Sequence, residues 1–354
     1  MRGFITILFL VCATLLSIWG VDNSIVYIPS FQSKPATVER IKILFAGDIM
    51  AHMPQILKAQ QGDIYDFRPS FQYVKPLFKD ADLTIVNLET TLSQTPPYSG
   101  YPAFRSPAEL AAALADAGID VAVTANNHSL DMGCSGIEQT VHILRKYGVA
   151  PIGSFRDMAD QYRRNPLVVE RKGIKVAIFA YTYGTNGIDA QDGAIVPGLD
   201  TVRMATELQQ CVDVDCKIAF VHWGIEYSRK PNREQKELAA FLHRVGCQLV
   251  IGSHPHVVQG AESSKREVTV YSLGNFISNQ RERYTDGGII AQVSVEKSDD
   301  GCSFWLDINP VWVRLKDYVV IPKSIGDTLT MSKSERTAYL QFMQDTEKIF
   351  TSQF

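Results

Sequence analysis

Short apolar runs alternate along the chain with longer segments of helical periodicity, and this alternation predicts an α/β fold. The apolar runs are of the kind that fill buried strands, and the clearest are residues 41–46, 83–87, 120–124, 217–221 and 247–251. Helices are predicted at residues 70–80, 107–118, 136–147, 232–245 and 332–349. After the alternation, paired strands are predicted near residues 268–273, 288–295 and 303–314.

Single residues sharpen the limits of some of these elements. Pro107 occupies a favoured first position for a helix, and Gly118 provides its stop. Residues 167–170 and 175–181 flank a short polar turn and predict a hairpin. The pattern shows no repeat and no internal break, so we expect residues 41–354 to form one domain.

The N-terminal 21 residues form a separate segment. Residues 4–21 carry no charge and follow Arg2, a pattern typical of a secretory signal or a single membrane anchor. The absence of a clean small-residue cleavage site favours an uncleaved anchor, and Arg2 would hold the N-terminus inside. Residues 22–40 are polar and unpatterned and are predicted to be a linker. We therefore expect the body to be extracytoplasmic, either membrane-anchored or secreted.

Charge and cysteine content argue against three classes of protein. The formal net charge of −3 argues against a nucleic-acid binder that depends on a basic surface. Six cysteines in 354 residues are too few for a disulfide scaffold, and the absence of a C-x-x-C pair argues against a zinc knuckle. Cys211 and Cys216 either form a small disulfide loop or are separate apolar residues.

Candidate chemical groups follow the ends of the predicted strands, which is where open α/β sheets place their sites. These groups are Asp48, Glu89, Asn127, His128, His222, His254 and His256. A mixed set of carboxylate, amide and imidazole suits Mn, Fe or Zn better than Mg or Ca. Two such ions, roughly 3.5–4 Å apart, need a bridging carboxylate. Together they can stabilise both the attacking oxygen and the leaving oxygen of a displacement reaction.

His254 and His256 are the strongest candidates because two imidazoles beside a strand end have no obvious structural role. If the backbone stays extended between them, their side chains point to the same side. The other groups have structural alternatives: a turn or a helix N-cap for Asp48, a turn for Asn127 and a core position for His222.

Six ordered motifs carry a resemblance to a known family. They are Gly47–Met50, Asn87–Glu89, Asn126–Gly133, His222–Glu226, Gly252–Gln259 and Tyr271–Phe276. Together they resemble the CapA (PgsA) family of capsule or poly-γ-glutamate synthesis proteins, which belongs to the calcineurin-like metallophosphatases. The resemblance implies a four-layer α/β/β/α fold of two facing sheets flanked by helices. For the wider superfamily it also implies hydrolysis of phosphate esters at a dinuclear metal centre.

Carried onto this chain, the resemblance implies ligands for two ions, namely Asp48 and His256 for the first, Asn127, His222 and His254 for the second, and Glu89 as the bridge. It leaves His128 as the general acid or a transition-state donor, with Asp131 to orient it. Arg105 is the candidate substrate-binding residue, because a planar guanidinium suits an anionic pair of oxygens.

The chain departs from the superfamily pattern at two positions. The first superfamily motif is Asp-x-His, whereas Met50 stands two residues after Asp48. His52, four positions after Asp48, either replaces the missing imidazole or has no part in the site. The bridge, Glu89, is one methylene longer than the aspartate of the superfamily.

Two functions of different classes follow. The first is a metal-dependent hydrolase of a phosphoester or a related linkage in an anionic polymer. The alternative is a non-catalytic component of a membrane complex that makes or exports such a polymer. The expected partners are therefore the polymer or phosphoester, subunits of a membrane synthase complex and, through residues 1–21, the membrane, with no nucleic acid.

Overall fold

The structure is a computed structural model, and it describes residues 39–351. The predicted anchor at residues 1–21 lies outside the described residues, as does most of the predicted linker. The first strand begins at Glu39, so the linker prediction of 22–40 is two residues too long. Among residues 39–351, no helix has both the length and the apolar character needed to cross a bilayer.

Eighteen strands lie between residues 39 and 351. Between residues 39 and 351 they are β1 (Glu39–Ile49), β2 (Gln60–Gln61), β3 (Ile64–Tyr65), β4 (Leu83–Leu88), β5 (Thr91–Ser93), β6 (Arg105–Pro107), β7 (Val121–Val123), β8 (Ala150–Ile152), β9 (Leu167–Arg171), β10 (Ile174–Thr182), β11 (Cys216–His222), β12 (Leu249–Ser253), β13 (Ala261–Ser263), β14 (Val268–Val270), β15 (Asn275–Ile277), β16 (Gly287–Ser298), β17 (Gly301–Arg314) and β18 (Val319–Pro322).

Helices connect and cover these strands. Within the same described range they are α1 (Met53–Ala59), α2 (Lys75–Lys79), α3 (Glu109–Ala117), α4 (Gly133–Lys146), α5 (Met158–Arg164), α6 (Thr201–Gln210), α7 (Arg233–Arg244), α8 (Lys323–Gly326) and α9 (Lys333–Thr351). Local sequence explains several of their ends. Asn232 and Gln235 form a capping box at the start of α7, and Gly118 ends α3 in the left-handed region at φ +96°.

Two large sheets organise the described residues. The first has the order β18-β17-β16-β1-β4-β7-β8, with β15 also paired to β1. The second has the order β13-β14-β12-β11-β10-β9. Strands β1, β4, β7 and β8 run parallel in the first sheet, and β10, β11, β12 and β14 run parallel in the second. Each sheet therefore gathers several carboxyl-terminal strand ends at one edge.

Three apolar cores stack through the fold. Alternation along β1 sends Ile43 and Phe45 into the core between the sheets, and Leu44 and Ala46 into the core beneath helices α1 to α4. A third core lies between the second sheet and helices α6 and α7, where Phe179 packs. The order is helix, sheet, sheet, helix, so the predicted four-layer α/β/β/α architecture is confirmed.

Several element limits differ from those predicted. Pro107 is the last residue of β6 rather than the first of a helix, because β6 pairs with β5 through this residue. The predicted helix at 70–80 is a 3-10 turn followed by the short helix α2. The hairpin formed by β9 and β10 is confirmed. Cys211 and Cys216 are both free thiols, which leaves the alternative of separate residues.

Candidate metal centre

Irregular pairing turns Asp48 towards the site. The register of β1 shifts beside Asp48 against both β4 and β15, and such bulges re-aim side chains near functional sites. Gly47 permits this arrangement, since a Cβ added there would lie 1.9 Å from the carbonyl oxygen of Gly274. Asp48 is thus a strand residue, which excludes the helix-cap alternative.

A buried amide holds the two carboxylates together. Asn87 Nδ2 donates to Asp48 Oδ1 at 2.7 Å and to Glu89 Oε2 at 3.2 Å. Glu89 Oε1 is buried and has no hydrogen-bond partner within the described residues. Burial, followed by the nearby Asp48 charge, raises the pKa of Glu89 well above its ordinary value. The pair therefore concentrates negative charge that only a cation or a proton can neutralise.

Two imidazoles from the second half of the chain face these carboxylates. His256 Nδ1 lies 3.1 Å from both Asp48 Oδ2 and Asn275 Oδ1, which places the proton on Nδ1 and leaves Nε2 as an acceptor. That Nε2 lies 3.7 Å from Glu89 Oε1, and so does Nε2 of His222. The unpartnered oxygen of Glu89 therefore lies between the two rings.

Amide and hydroxyl groups fix the ring of His222. Its Nδ1 lies 2.9 Å from Ser253 Oγ, and its Nε2 lies 2.9 Å from Asn127 Oδ1. Asn127 in turn donates to Asn186 Oδ1 at 3.1 Å. Burial lowers the pKa of His222 well below its ordinary value, so the ring is a neutral imidazole, which is the form that binds metals.

His254, like Glu89, has an unsatisfied buried atom. It is 4% exposed, and its Nδ1 has no partner among the residues that the structure describes. Burial lowers its pKa to about 3, so it too stays neutral. Its ring lies 4.7 Å from that of His222 and 4.5 Å from that of Tyr183, measured between centroids.

The backbone at these two histidines corrects one premise of the sequence analysis. His254 has φ +98° and His256 has φ +58°, so the chain is not extended between them. Positive φ is uncommon for residues other than glycine, and it clusters at functional sites where the surroundings enforce it. The rings still share one cluster, with centroids 6.0 Å apart, because the turn rather than an extended strand aims both of them inward.

The structure brings three groups of potential ligands together. In each group the ligand atoms lie within 4.8 Å of one another, and the groups are Glu89, His222 and His254; Asp48, Glu89 and His256; and Glu226, His254 and His256. The donor types suit a divalent cation, and the unpartnered atoms of Glu89 and His254 are the buried groups that such a cation would satisfy. Convergence of these side chains is thus observed, while their roles as ligands stay predictions.

His128 lies beside this cluster and is oriented as expected. Its Nδ1 is 2.8 Å from Asp131 Oδ2, which also accepts a hydrogen bond from the backbone N–H of Phe104 at 2.6 Å. The edge of the Phe104 ring packs against the imidazole with centroids 4.7 Å apart. Two contacts therefore fix the ring, and no described hydrogen bond engages its Nε2.

Two other candidates lie elsewhere. The guanidinium of Arg105 donates to Ser93 Oγ at 3.0 Å, and no described contact joins it to the cluster, so its substrate role stays a prediction. His52 Nδ1 lies 3.1 Å from Gln55 Oε1 and accepts from the backbone N–H of Asn279 at 3.3 Å. His52 belongs to none of the three ligand groups within residues 39–351.

Sequence reasoning missed the central role of Asn87. The signal was available, because Asn87 lies two residues before Glu89 and alternation places both on one side of an extended chain. The stacking of Tyr183 on the histidines had no such signal, because it depends on how the loop after β10 folds back on the second sheet.

A sandwich of two sheets between helices, with carboxylates and imidazoles at one rim, defines the class of this protein as a four-layer α/β/β/α fold with a possible divalent metal site. Within that class, the family described as Bacterial capsule synthesis protein PGA_cap matches residues 42–280, and the chain belongs to this family.

Relatives with curated descriptions agree with this assignment. The capsule biosynthesis protein CapA of Bacillus anthracis is 26% identical over 326 residues, which cover 88% of this chain and 74% of that protein. The PGA biosynthesis protein CapA of Bacillus subtilis (strain 168) is 25% identical over 265 residues, covering 73% and 68%. Both relatives are described as capsule or PGA biosynthesis proteins, in agreement with the family whose model matches this chain.

Solved structures that resemble the chain include a 5'-nucleotidase from Candida albicans and the sulfate thiohydrolase SoxB from Thermus thermophilus. The first is 14% identical and covers 87% of this chain and 58% of that chain, with a TM-score of 0.44. The second is 10% identical and covers 87% and 61%, also with a TM-score of 0.44. Because both scores lie below 0.5, they support no inference about this chain.

Proposed function

We propose that this protein is a metal-dependent hydrolase of a phosphoester or related linkage and that it serves the synthesis or export of an anionic capsule polymer. The observation that carries the proposal is the cluster in which buried Glu89 Oε1 and His254 Nδ1 lack any described hydrogen-bond partner. Buried polar atoms without a partner destabilise a folded protein, and a bound cation would satisfy both of these atoms. The ligand set proposed from the sequence would hold two ions of Mn, Fe or Zn.

The ions and the residues around the cluster would have different roles in hydrolysis. Divalent ions held there would supply Lewis-acid polarisation of the scissile linkage. His128 would give a proton from Nε2 to the leaving oxygen, and Asp131 at Nδ1 would stabilise the imidazolium form needed for that step. Residues 1–21 are proposed to hold the site outside the cytoplasmic membrane, beside the subunits of a polymer synthase.

His254→Ala tests the proposal. We expect the full-length protein, loaded with Mn²⁺, to hydrolyse a generic aryl phosphodiester, and we expect the variant to lose at least about 100-fold in rate because a ligand is gone. The matched control is His142→Ala, which removes an exposed imidazole from α4. Unchanged hydrolysis in the His254 variant would refute the assignment.

Asp131→Asn separates proton transfer from metal binding. The variant keeps the shape of the side chain but loses the charge that stabilises the His128 imidazolium, so hydrolysis should fall by about 10- to 100-fold. Metal content should stay at the wild-type level, because Asp131 belongs to none of the potential ligand groups within the described residues. Loss of metal together with activity would contradict the proposed role.

A structural role in a polymer-synthesis complex is the second candidate. Met50 favours it, because this residue is 2% exposed and stands where the superfamily has a metal-binding histidine. The test is complementation of a deletion strain with the double variant Asp48→Ala, His128→Ala. Full polymer output from that strain would favour the structural role, and loss of output would favour the hydrolase.

A further inference from the structure

The ion assigned to Asp48 and His256 lacks a ligand in the proposed set. Met50 offers only a thioether, which is a soft ligand and a poor partner for Mn²⁺. His52 belongs to none of the ligand groups within residues 39–351, and Gln55 and the backbone N–H of Asn279 contact its Nδ1. A further donor is needed from another part of the rim.

Glu226 lies where such a donor is needed. A carboxylate oxygen of Glu226 lies within 4.8 Å of ring nitrogens of both His254 and His256. The residue is exposed, and in residues 39–351 no hydrogen bond or salt bridge engages its carboxylate. Nδ1 of the neighbouring His254 is buried and also lacks a partner among the described residues.

The loop that carries Glu226 is fixed on both sides of it. Before it, Gly224 has φ +94°, and an added Cβ would lie 2.8 Å from atoms of the Gln235 side chain. After it, the backbone N–H of Tyr227 donates to the carbonyl oxygen of Pro255 at 2.8 Å, between the two histidines. The carboxylate is therefore held beside the imidazoles by backbone contacts and does not reach them by chance.

Charge balance supports the same role. Asp48 and Glu89 supply two carboxylates, whereas two divalent ions carry four positive charges. A third carboxylate on the open side of the cluster reduces that excess while leaving room for an anionic substrate. A carboxylate is also the oxygen ligand that Mn²⁺ accepts readily.

We propose that Glu226 is a metal ligand, that it binds the divalent ion assigned to Asp48 and His256, and that it supplies the donor that Met50 does not. The inference rests on the proposed metal-dependent function and adds a ligand that the sequence motifs did not assign. It also predicts that His52 is dispensable for metal binding.

The experiment is isothermal titration of the metal-free, full-length protein with MnCl₂. Glu226→Gln should lose one of the two binding events or weaken it by at least about tenfold, since even outer partners of metal ligands have effects of this size. The matched control is Glu282→Gln, an exposed carboxylate that is close enough to act electrostatically on Tyr227 but belongs to no ligand group. Melting curves of the metal-free forms check that each variant folds.

The outcomes separate this inference from the proposed function. Weakened binding in Glu226→Gln, with wild-type binding in Glu282→Gln and in His52→Ala, supports the ligand role. Equal weakening in both glutamate variants means a general charge effect and overturns it, as does wild-type binding in Glu226→Gln. A wild-type protein that binds no Mn²⁺ overturns the proposed metal-dependent function as well.

Discussion

Replacing Glu89 with glutamine is expected to abolish tight metal binding while leaving the metal-free protein at least as stable as the wild type. The amide keeps the shape of the side chain but removes the charge at the centre of the cluster, where Oε1 lies 3.7 Å from ring nitrogens of His222 and His256. Affinity for Mn²⁺ should fall by at least about 100-fold, and the metal-induced rise in melting temperature should disappear. Calorimetry with and without Mn²⁺ measures both effects.

The pH dependence of the metal-free proteins checks the physical cause. Burial and the Asp48 charge raise the pKa of Glu89 above its ordinary value of 4.5, so the folded state binds this proton more tightly than the unfolded state. The stabilisation is therefore present at low pH and is lost as pH rises through the folded-state pKa. The stability advantage of Glu89→Gln should grow as the pH rises above 4.5, the ordinary pKa of a glutamate. A constant difference over this range would contradict the explanation.

The second large effect is expected at Gly47. Alanine there would place its Cβ 1.9 Å from the carbonyl oxygen of Gly274, which accepts the backbone hydrogen bond of Asp48 at 3.0 Å. The position of the Cβ is fixed by the backbone of residue 47, and the atom it meets is a backbone oxygen. No side-chain rotation can therefore relieve the contact. The free energy of unfolding should fall by about 3 kcal/mol or more, as measured by urea denaturation.

Gly198→Ala is the matched control for this substitution, because an added Cβ there has no neighbour within 4 Å and no positive φ is required. We expect the control to stay within about 0.5 kcal/mol of the wild type. A Gly47→Ala variant as stable as this control would contradict the expectation, because it would mean that the backbone at Gly274 moves away from the new Cβ at little cost.

The sequence predicts the strand ends because a buried strand is marked by a short run of apolar residues, which is a local pattern. Asp48, Glu89 and His222 were placed at such ends, and the structure brings all three into one cluster. The turn at His254 and His256 was not predictable, since no local rule assigns positive φ to two histidines around a proline. Its conformation depends on contacts with β1 and with the loop at Tyr227, which are distant in sequence.

Helices with weak local signals were also missed. Helices α5 and α6 lie in stretches where polar residues hide the buried positions, such as Met204 and Leu208. Pro107 shows the opposite error, because a residue typical of helix starts is used here to end β6. In both cases tertiary packing overrides a local preference.

Metal content is the most direct measure of whether these side chains hold divalent cations. The full-length protein should be purified without chelators and analysed by inductively coupled plasma mass spectrometry beside Glu89→Gln. We expect about two ions of Mn, Fe or Zn per wild-type chain and essentially none in the variant. A wild-type protein without stoichiometric metal, or a variant that retains the wild-type content, would contradict the central claim.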